Sequence, residues 1–208
     1  MKQVTIVETP IVLDSLSHLR DKTTSSELFR THADKISYQL LSVTFKATDL
    51  QQKEIYTPLK KTLAPFVKND FVFVTILRAG LSMFPAVVSL VPEVRIGLIG
   101  LKRDEQTAIA SEYYCNLPMI SSDTTVILAD PMLATGGSII HALKKIQSFH
   151  PKEVRIVSII SAPEGIEAIR KEFPDVRIIT GAIDSHLDAK KYIVPGLGDF
   201  GDRYFGTE

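Results

Sequence analysis

The segment Thr125-Val-Ile-Leu-Ala-Asp130-Pro-Met-Leu-Ala-Thr135-Gly-Gly-Ser138 carries the clearest structural signal in this chain. Its first five residues form an apolar run typical of a buried strand. An acid, hydroxyl residues and paired glycines then precede an amphipathic stretch. The N–H groups at a helix N-terminus are unpaired and partly positive, and Gly136 and Gly137 let the backbone approach an anion closely. The segment therefore predicts a strand, a phosphate-binding loop and a helix.

The predicted loop differs from two common nucleotide-binding motifs. No lysine follows the second glycine, as a triphosphate-binding P-loop requires, and the dinucleotide pattern G-x-G-x-x-G is absent. An ordinary glycine turn with Ser138 capping a helix is the alternative interpretation of the same residues.

Short apolar runs of the same kind recur on both sides of this segment. They are FVFVTI (71–76), RIGLIGL (95–101), VRIVSII (154–160) and VRIITG (176–181). Amphipathic stretches at 138–148 and 164–173 separate the later runs. Alternating strands and helices predict an α/β fold with a parallel, doubly wound sheet, which binds ligands at the carboxyl ends of its strands.

The first third of the chain has a helical pattern. Thr24-Ser25-Ser26-Glu27 matches a capping box, so a helix is predicted to begin there. The apolar residues behind it recur every three or four positions over about 25–45, and they are Phe29, Ala33, Ile36, Leu40 and Val43. A second stripe, predicted to be buried against the sheet or a sister subunit, comprises Tyr56, Leu59, Leu63 and Phe66.

The composition is that of a folded globular chain with balanced charge. The 208 residues include 24 Lys and Arg against 24 Asp and Glu, with 45% hydrophobic residues. Zero net charge argues against a protein whose main task is to bind nucleic acid. The lone Cys115 forms no internal disulfide, and neither a secretory signal nor an apolar run of membrane-spanning length is found. A cytoplasmic location without membrane association is therefore predicted.

The tail from Ala182 to Glu208 breaks the alternation of strands and helices. It is rich in glycine and proline and has no clear periodicity, so a functional loop is expected there. No linker or repeat separates it from the sheet, and residues 1–208 are expected to form one domain. The five histidines and the single cysteine show no spacing typical of a metal site.

Four segments together resemble one enzyme family. ADPMLATGGS (129–138) is similar to the phosphoribosyl-diphosphate (PRPP) loop of type I phosphoribosyltransferases, and it resembles the uracil phosphoribosyltransferases in particular. The other matching segments are ILRAG (76–80), KRDE (102–105) and YIVPGLGDFGDRYFGT (192–207). The resemblance implies the type I phosphoribosyltransferase fold, with helices flanking a mainly parallel sheet, N-terminal helices and a base-binding hood at about 182–208. It also implies transfer of the phosphoribosyl group of PRPP to N1 of uracil, giving UMP and pyrophosphate in pyrimidine salvage.

Each strand end would supply one set of contacts to PRPP under this resemblance. The loop would hold the 5-phosphate, Asp130 would accept hydrogen bonds from the ribose hydroxyls, and Arg78 and Arg103 would bond to pyrophosphate. The residues expected to bind PRPP are Arg78, Arg103, Asp130, Pro131, Met132, Leu133, Ala134, Thr135, Gly136, Gly137, Ser138 and Asp199. Arg78, Arg103, Asp130 and Asp199 are expected to be catalytic. Mg²⁺ is the implied cofactor, held mainly by PRPP and not by a dedicated protein cage.

The segment 192–200 resembles the family's hood over uracil. Backbone groups there could pair with O2, N3–H and O4 of uracil. Cytosine reverses the donor or acceptor character of two of these groups, and each mismatch would cost about 1–3 kcal/mol of binding free energy. The residues expected to bind uracil are Tyr192, Ile193, Gly198, Asp199 and Phe200. Ala134 stands where many purine enzymes carry an acid, and the loss of that general base suits the fairly acidic N1 of uracil.

The stretch at 102–116 departs most from the family pattern and is expected to be a mobile lid. Thr107, Tyr113 and Tyr114 are candidates for a role in this lid. Cys115 beside them is interpreted as an incidental thiol.

Two alternatives are weighed against this interpretation: a phosphoribosyltransferase for a purine or orotate, and a pyrimidine-responsive RNA-binding regulator on the same fold. Ala134 and the hood argue against the first. A neutral chain without a basic stripe or an aromatic stacking motif argues against the second. The expected partners are uracil, PRPP and at least a second copy of this chain, with no nucleic acid. GTP as an effector stays open.

Overall fold

A computed structural model describes residues 3–46, 48–68, 70–103 and 110–207. Its helices are α1 (Pro10–Arg20), α2 (Ser26–Phe45), α3 (Phe84–Leu90), α4 (Gly137–Gln147), α5 (Pro163–Glu172) and α6 (Phe200–Phe205), with a 3-10 helix at Ala79–Met83. Its strands are β1 (Val4–Ile6), β2 (Leu50–Tyr56), β3 (Lys61–Val67), β4 (Phe71–Leu77), β5 (Arg95–Arg103), β6 (Ala110–Asn116), β7 (Thr125–Ala129), β8 (Met132–Leu133), β9 (Glu153–Ser161), β10 (Arg177–Ile183), β11 (His186–Leu187) and β12 (Ile193–Val194).

The central sheet is mainly parallel, which confirms the predicted fold class. Its strand order is β1-β10-β9-β7-β4-β5-β6, and β8 continues the pairing beside β9. β7 lies between β4 and β9, and all of its residues are buried. The carboxyl ends of these three strands therefore meet at one edge of the sheet, beside the predicted phosphate loop.

Helices cover both faces of the sheet, so the doubly wound arrangement is also confirmed. Successive strand residues point to opposite faces. Phe73 and Ile127 belong to an apolar layer with α1, α2 and α3, whereas Val74 and Leu128 belong to a second layer with α4 and α5. Because the strands are buried on both faces, their sequences are nearly continuous apolar runs.

α2 confirms the helix predicted over about 25–45. Its N-cap is Ser25, whose hydroxyl accepts a hydrogen bond from the N–H of Leu28 at 3.4 Å. The fully buried side chains on its inner face include Phe29, Ala33, Ile36 and Leu40. Neither α2 nor any other helix within the described ranges has the length and apolar character needed to cross a membrane.

The second apolar stripe is not helical, so that prediction is wrong. Strands β2 and β3 pair antiparallel in a separate hairpin at 50–67, and residues 57–60 form its turn. Pro58 and Pro65 explain the difference, because each lacks the N–H that a helix interior needs and Pro58 also restricts the residue before it. The four apolar side chains of the stripe are exposed to 77%, 95%, 66% and 40% for Tyr56, Leu59, Leu63 and Phe66.

Part of the predicted lid is a strand. Residues 110–116 form β6, which runs antiparallel to β5 and closes that edge of the sheet. Its Glu112 carboxylate accepts a hydrogen bond from Lys145 of α4 at 2.5 Å, which ties the strand to the helix behind it. Thr107 lies outside the described residues.

The tail is more regular than its sequence indicates. β11 and β12 pair antiparallel. A glycine-rich turn follows β12 and leads into α6. Six helical residues make fewer than two turns, so no apolar period can be read from them. Asp199 was the available signal, because its side chain caps α6 by accepting a hydrogen bond from the N–H of Asp202 at 3.0 Å.

Candidate active site

A cavity of about 480 Å³ opens at the carboxyl edge of the sheet. It joins the predicted PRPP loop to the predicted uracil hood. From the loop it is lined by Asp130, Met132, Ala134 and Ser138, and from the hood by Tyr192, Ile193, Gly198, Asp199 and Phe200. The sequence therefore predicted most of the residues of both walls, which are more than fifty positions apart in the chain.

The loop that precedes α4 contributes Ala134 to the lining of the cavity, and α4 contributes Ser138. Gly136 adopts a left-handed conformation (φ +82°), and α4 begins at the next residue. The N–H of Gly137 donates a long hydrogen bond to Thr135 Oγ1 at 3.4 Å, and N–H groups at a helix N-terminus of this kind attract anions. The hydroxyls of Thr135 and Ser138 lie in the same small concavity. This geometry suits a phosphate group.

Asp130 lies at the floor of the cavity, directly after β7. Its N–H donates to the carbonyl of Val157 at 3.2 Å, which fixes the backbone against β9. Burial of the carboxyl raises the pKa of Asp130 to about 7, although the N–H of Met132, 3.4 Å from Oδ1, opposes the rise. The residue is nevertheless partly exposed, and it lines the cavity. A ligand that offers hydroxyl donors would favour the ionised form.

An ion pair between the partly exposed Arg20 and the buried Asp184 holds the hood in place. Arg20 at the end of α1 donates to both carboxylate oxygens of Asp184, at 2.8 and 2.6 Å, and also to the carbonyl of Gly196 at 2.8 Å. Asp184 also accepts a hydrogen bond from the N–H of Gly196 at 2.9 Å. Gly196 has a left-handed backbone (φ +63°), and an added Cβ would lie 2.1 Å from the carbonyl of Ile193. Arg20 and Asp184 carry no local sequence signal of this pairing, because 164 residues separate them.

A second arginine joins the other side of the hood to the N-terminal helices. The Arg203 guanidinium donates to the carbonyls of Leu197 and Asp21, both at 2.6 Å, and to that of Leu19. It also stacks over the ring of Phe29 at 4.5 Å. These contacts seat the glycine-rich turn and α6 on the same helix pair that packs against the sheet.

Arg78 is not among the residues that line the cavity, although the next residue, Ala79, is. The peptide bond between Leu77 and Arg78 is cis. The guanidinium is 3.4 Å from the carboxylate of Asp202, and the two side chains are 59% and 37% exposed. Exposed pairs of this kind contribute about 0–1 kcal/mol, so Arg78 can exchange this partner for an anionic ligand at little cost.

The remaining predicted residues divide into two groups. Arg103 is the last residue of β5, and its side chain lies outside what the structure describes. Pro131, Leu133 and Gly137 belong to the loop, where Leu133 is a buried member of the sheet core and pairs with Ser161. The side chain of Leu133 therefore packs in the core of the protein.

Four lining residues, Ala79 among them, were not predicted as site candidates from the sequence. Lys190 and Lys191 precede the hood strand β12 and line the cavity, and Gly201 lies at the start of α6. Two adjacent lysines beside a predicted polyphosphate site were a usable signal, because a cationic rim attracts anionic substrates. Lys191 also has a left-handed backbone (φ +68°) at the turn between β11 and β12.

A different cavity of about 360 Å³ lies at the opposite, amino-terminal edge of the strands. Its charged groups pair with one another. Lys152 contacts Asp49 at 2.8 Å, Arg177 contacts Glu153 at 3.3 Å, and the buried Arg155 also pairs with Glu153. Because these charges already neutralise one another, we assign the cavity a structural role.

The donors in the carboxyl-edge cavity fit a magnesium ion held mainly by its substrate. Within the described lining, the carboxylates are those of Asp130 and Asp199, and Asp199 is occupied in capping α6. Mg²⁺ prefers oxygen ligands and keeps several waters, so one or two carboxylates beside a polyphosphate suffice.

A mainly parallel sheet with an acid, a phosphate loop and a facing hood at its carboxyl edge defines a type I phosphoribosyltransferase. A family model described as uracil phosphoribosyltransferase matches residues 6–207. The chain belongs to the uracil phosphoribosyltransferase family.

Individual relatives agree with this assignment. The uracil phosphoribosyltransferase of Legionella pneumophila (strain Lens) is 44% identical over 207 residues, which cover 99% of this chain and 97% of that protein. The uracil phosphoribosyltransferase of Malacoplasma penetrans is 41% identical over 98% of both chains.

Solved structures confirm the fold. The structure of the AQ2163 protein from Aquifex aeolicus matches with a TM-score of 0.94 and 35% identity over 99% of both chains. An adenine phosphoribosyl transferase from Trypanosoma brucei, in complex with AMP, pyrophosphate and ribose-5-phosphate, matches with a TM-score of 0.59 and 11% identity over 86% of this chain and 83% of that one. The second likeness concerns the fold alone.

Gly136 should tolerate alanine poorly, whereas its neighbour Gly137 should accept it. At Gly136 a Cβ would require left-handed backbone, at about 1–2 kcal/mol, and would lie 3.1 Å from the carbonyl of Gly165. At Gly137 the nearest atom is Thr135 Oγ1 at 3.6 Å, an ordinary contact. Urea unfolding of Gly136→Ala and Gly137→Ala should show the loss of stability only in the first. Equal losses would contradict the loop geometry.

Asp130 should destabilise the protein without substrates at neutral and alkaline pH. Its folded pKa of about 7 lies above the ordinary value of 3.8, so stability is fully present below about pH 4 and is lost as the pH rises through 7. Asp130→Asn stays neutral and should unfold at a higher temperature than the native chain at about pH 8. The difference should vanish near pH 4.

Thermal unfolding without PRPP or Mg²⁺ measures this effect, with the exposed acid Asp175 as the matched control. Asp175→Asn should follow the native pH profile. If Asp130→Asn is no more stable than the native chain at pH 8, Asp130 is not held in a desolvated position.

Proposed function

We propose that the protein uses this cavity to transfer the phosphoribosyl group of PRPP to N1 of uracil, giving UMP and pyrophosphate. The observation that carries the proposal is the shared lining: one cavity joins the phosphate loop after β7 to the backbone turn of the hood. The family model and the named relatives support the same reaction. They give no support to the RNA-binding alternative.

The 5-phosphate of PRPP would bind at the loop before α4. The N–H groups at 135–138 and the hydroxyls of Thr135 and Ser138 would donate to its oxygens. The left-handed Gly136 supports this assignment, because it turns the backbone so that α4 begins directly behind the anion. Asp130 would then accept hydrogen bonds from the ribose hydroxyls. In that state the ionised carboxylate gains partners that the site without substrate does not offer.

In the proposed reaction, the bond from the anomeric carbon to pyrophosphate breaks and a bond to uracil N1 forms. Pyrophosphate takes the electron pair of the broken bond, and uracil loses its N1 proton. Arg78 would release Asp202 and donate charge-assisted hydrogen bonds to the leaving pyrophosphate, together with Arg103. Mg²⁺ bound to PRPP would supply further neutralisation of that charge. Lys190 and Lys191 would raise the local concentration of the anionic substrate.

The hood would recognise uracil through its backbone. Ile193 and the segment Gly198–Phe200 line the cavity opposite the loop, and their N–H and C=O groups could match the O2, N3–H and O4 pattern. The side chain of Asp199 is committed to the α6 cap, so its role in uracil binding would be structural. Within the described lining no carboxylate takes the place of Ala134, which fits a base whose N1 loses its proton readily.

Several expectations go beyond these contacts and stay predictions. They are a single domain over 1–208, a cytoplasmic location and association with a second copy of this chain, while GTP as an effector stays open. The exposed apolar hairpin at 50–67 is a surface that a second copy could cover. The mass of the protein in solution tests this association, and a monomer at micromolar concentration would contradict it.

A chromatographic assay with PRPP, Mg²⁺ and one of four bases tests the proposed function. Uracil should give UMP, whereas cytosine, orotate and hypoxanthine should give no nucleotide. Arg78→Ala should lower kcat/KM by about a hundredfold or more, because it removes a donor at the leaving group. Arg170→Ala, on α5 outside the cavity lining, should keep native activity.

Turnover of another base in preference to uracil would overturn the assignment of the hood. An Arg78→Ala variant with native kcat/KM would remove Arg78 from the proposed mechanism while leaving the reaction itself intact.

A further inference from the structure

A cluster of metal-binding side chains lies outside the proposed active site, on the two N-terminal helices. Asp14 and His18 belong to α1, and His32 belongs to α2. One possible ligand atom from each residue lies within 4.8 Å of those of the other two. None of the three lines the cavity between the loop and the hood.

The packing of α1 on α2 creates this cluster. Asp14 and His18 are four residues apart and therefore share one face of α1. His18 Nε2 is 3.9 Å from Asp14 Oδ1, and the imidazole rings of His18 and His32 stack with centroids 4.0 Å apart. Two nitrogen ligands and one oxygen ligand thus meet from two helices.

His32 is oriented as metal-binding histidines commonly are. It is only 6% exposed, and its Nδ1 lies 3.2 Å from the hydroxyl of the fully buried Ser15. This partner fixes the ring, and in the tautomer in which Nδ1 donates to Ser15 the lone pair of Nε2 is left for a cation.

We propose that Asp14, His18 and His32 bind a divalent transition-metal ion of the Zn²⁺ class. Two imidazole nitrogens and a carboxylate oxygen form a typical zinc donor set, with water as a fourth ligand. His18 and Asp14 have side chains that are 49% and 66% exposed. They can rotate to bring their ligand atoms within about 2.0–2.2 Å of the ion, while His32 stays fixed.

The ion would join α1 to α2 close to Arg20, the residue of α1 that holds the hood. His18 lies two residues before Arg20, which holds Asp184 and Gly196. A metal bridge at this position would favour the folded arrangement of the helix pair. Stabilisation of the folded chain is therefore the expected effect. The proposal does not depend on the reaction catalysed at the cavity.

Equilibrium dialysis and thermal unfolding of the full chain with Zn²⁺ test the proposal, in buffer without PRPP or Mg²⁺. The native chain should bind one Zn²⁺ through these residues. At about a hundredfold excess over the dissociation constant, its unfolding temperature should rise by about 5 °C or more. His18→Asn should lose this shift. His150→Asn is the matched control and should keep it, because asparagine tolerates the left-handed backbone of His150 (φ 51°).

Asp14→Asn provides a second variant if His18→Asn folds poorly, since Asp14 is largely exposed and its replacement leaves the core intact. It should weaken Zn²⁺ binding at least tenfold, in line with the loss of one ligand. Unchanged dialysis and unchanged thermal shift in both variants would overturn the proposal. An equal shift with Mg²⁺ in place of Zn²⁺ would also overturn it, because Mg²⁺ does not favour imidazole ligands.

Discussion

The ion pair between Arg20 and Asp184 is the contact on which the geometry of the base site depends. The Asp184 side chain is 3% exposed, and its carboxylate is bonded to Arg20 and to the N–H of Gly196. Removing Arg20 would leave the carboxylate of Asp184 buried without a compensating charge, which destabilises the folded state. Buried apolar side chains such as Leu197 and Phe200 anchor the hood in the core, and this pair and Arg203 add the polar contacts that fix the position of its glycine-rich turn.

The same constraint explains why the N-terminal helices matter to a site at the far end of the sheet. α1 presents Arg20 to the hood, and α2 presents Phe29 beneath Arg203 and 5.1 Å from Phe200. α2 is in turn packed on β9 and β10. The position of the uracil wall is therefore set by the core, while the phosphate wall is set directly by β7. The desolvated carboxyl of Asp130 destabilises the folded protein until a substrate supplies hydrogen-bond partners.

The sequence predicted the features that arise from local patterns. Buried strands such as β7 read as apolar runs, the helix after residue 25 carries both a cap and a period, and the loop at 130–138 combines an acid with paired glycines. Its predictions were wrong or incomplete where distant parts of the chain decide the structure. The stripe from Tyr56 to Phe66 satisfied a helical period, although Pro58 and Pro65 favoured a hairpin. Arg20 and Asp184 carry no local signal of their pairing, and His18 and His32 meet only because two helices pack together.

The most direct test of this account is a comparison of the two substrate KM values in Asp184→Asn. This variant keeps the size of the side chain but removes the charge that holds Arg20 and the hood. The account predicts that KM for uracil rises at least tenfold, equivalent to about 1.4 kcal/mol, while KM for PRPP stays within about threefold of the native value. Unchanged KM for uracil in the folded variant, or an equal rise for both substrates, would contradict the claim that this ion pair positions the base site.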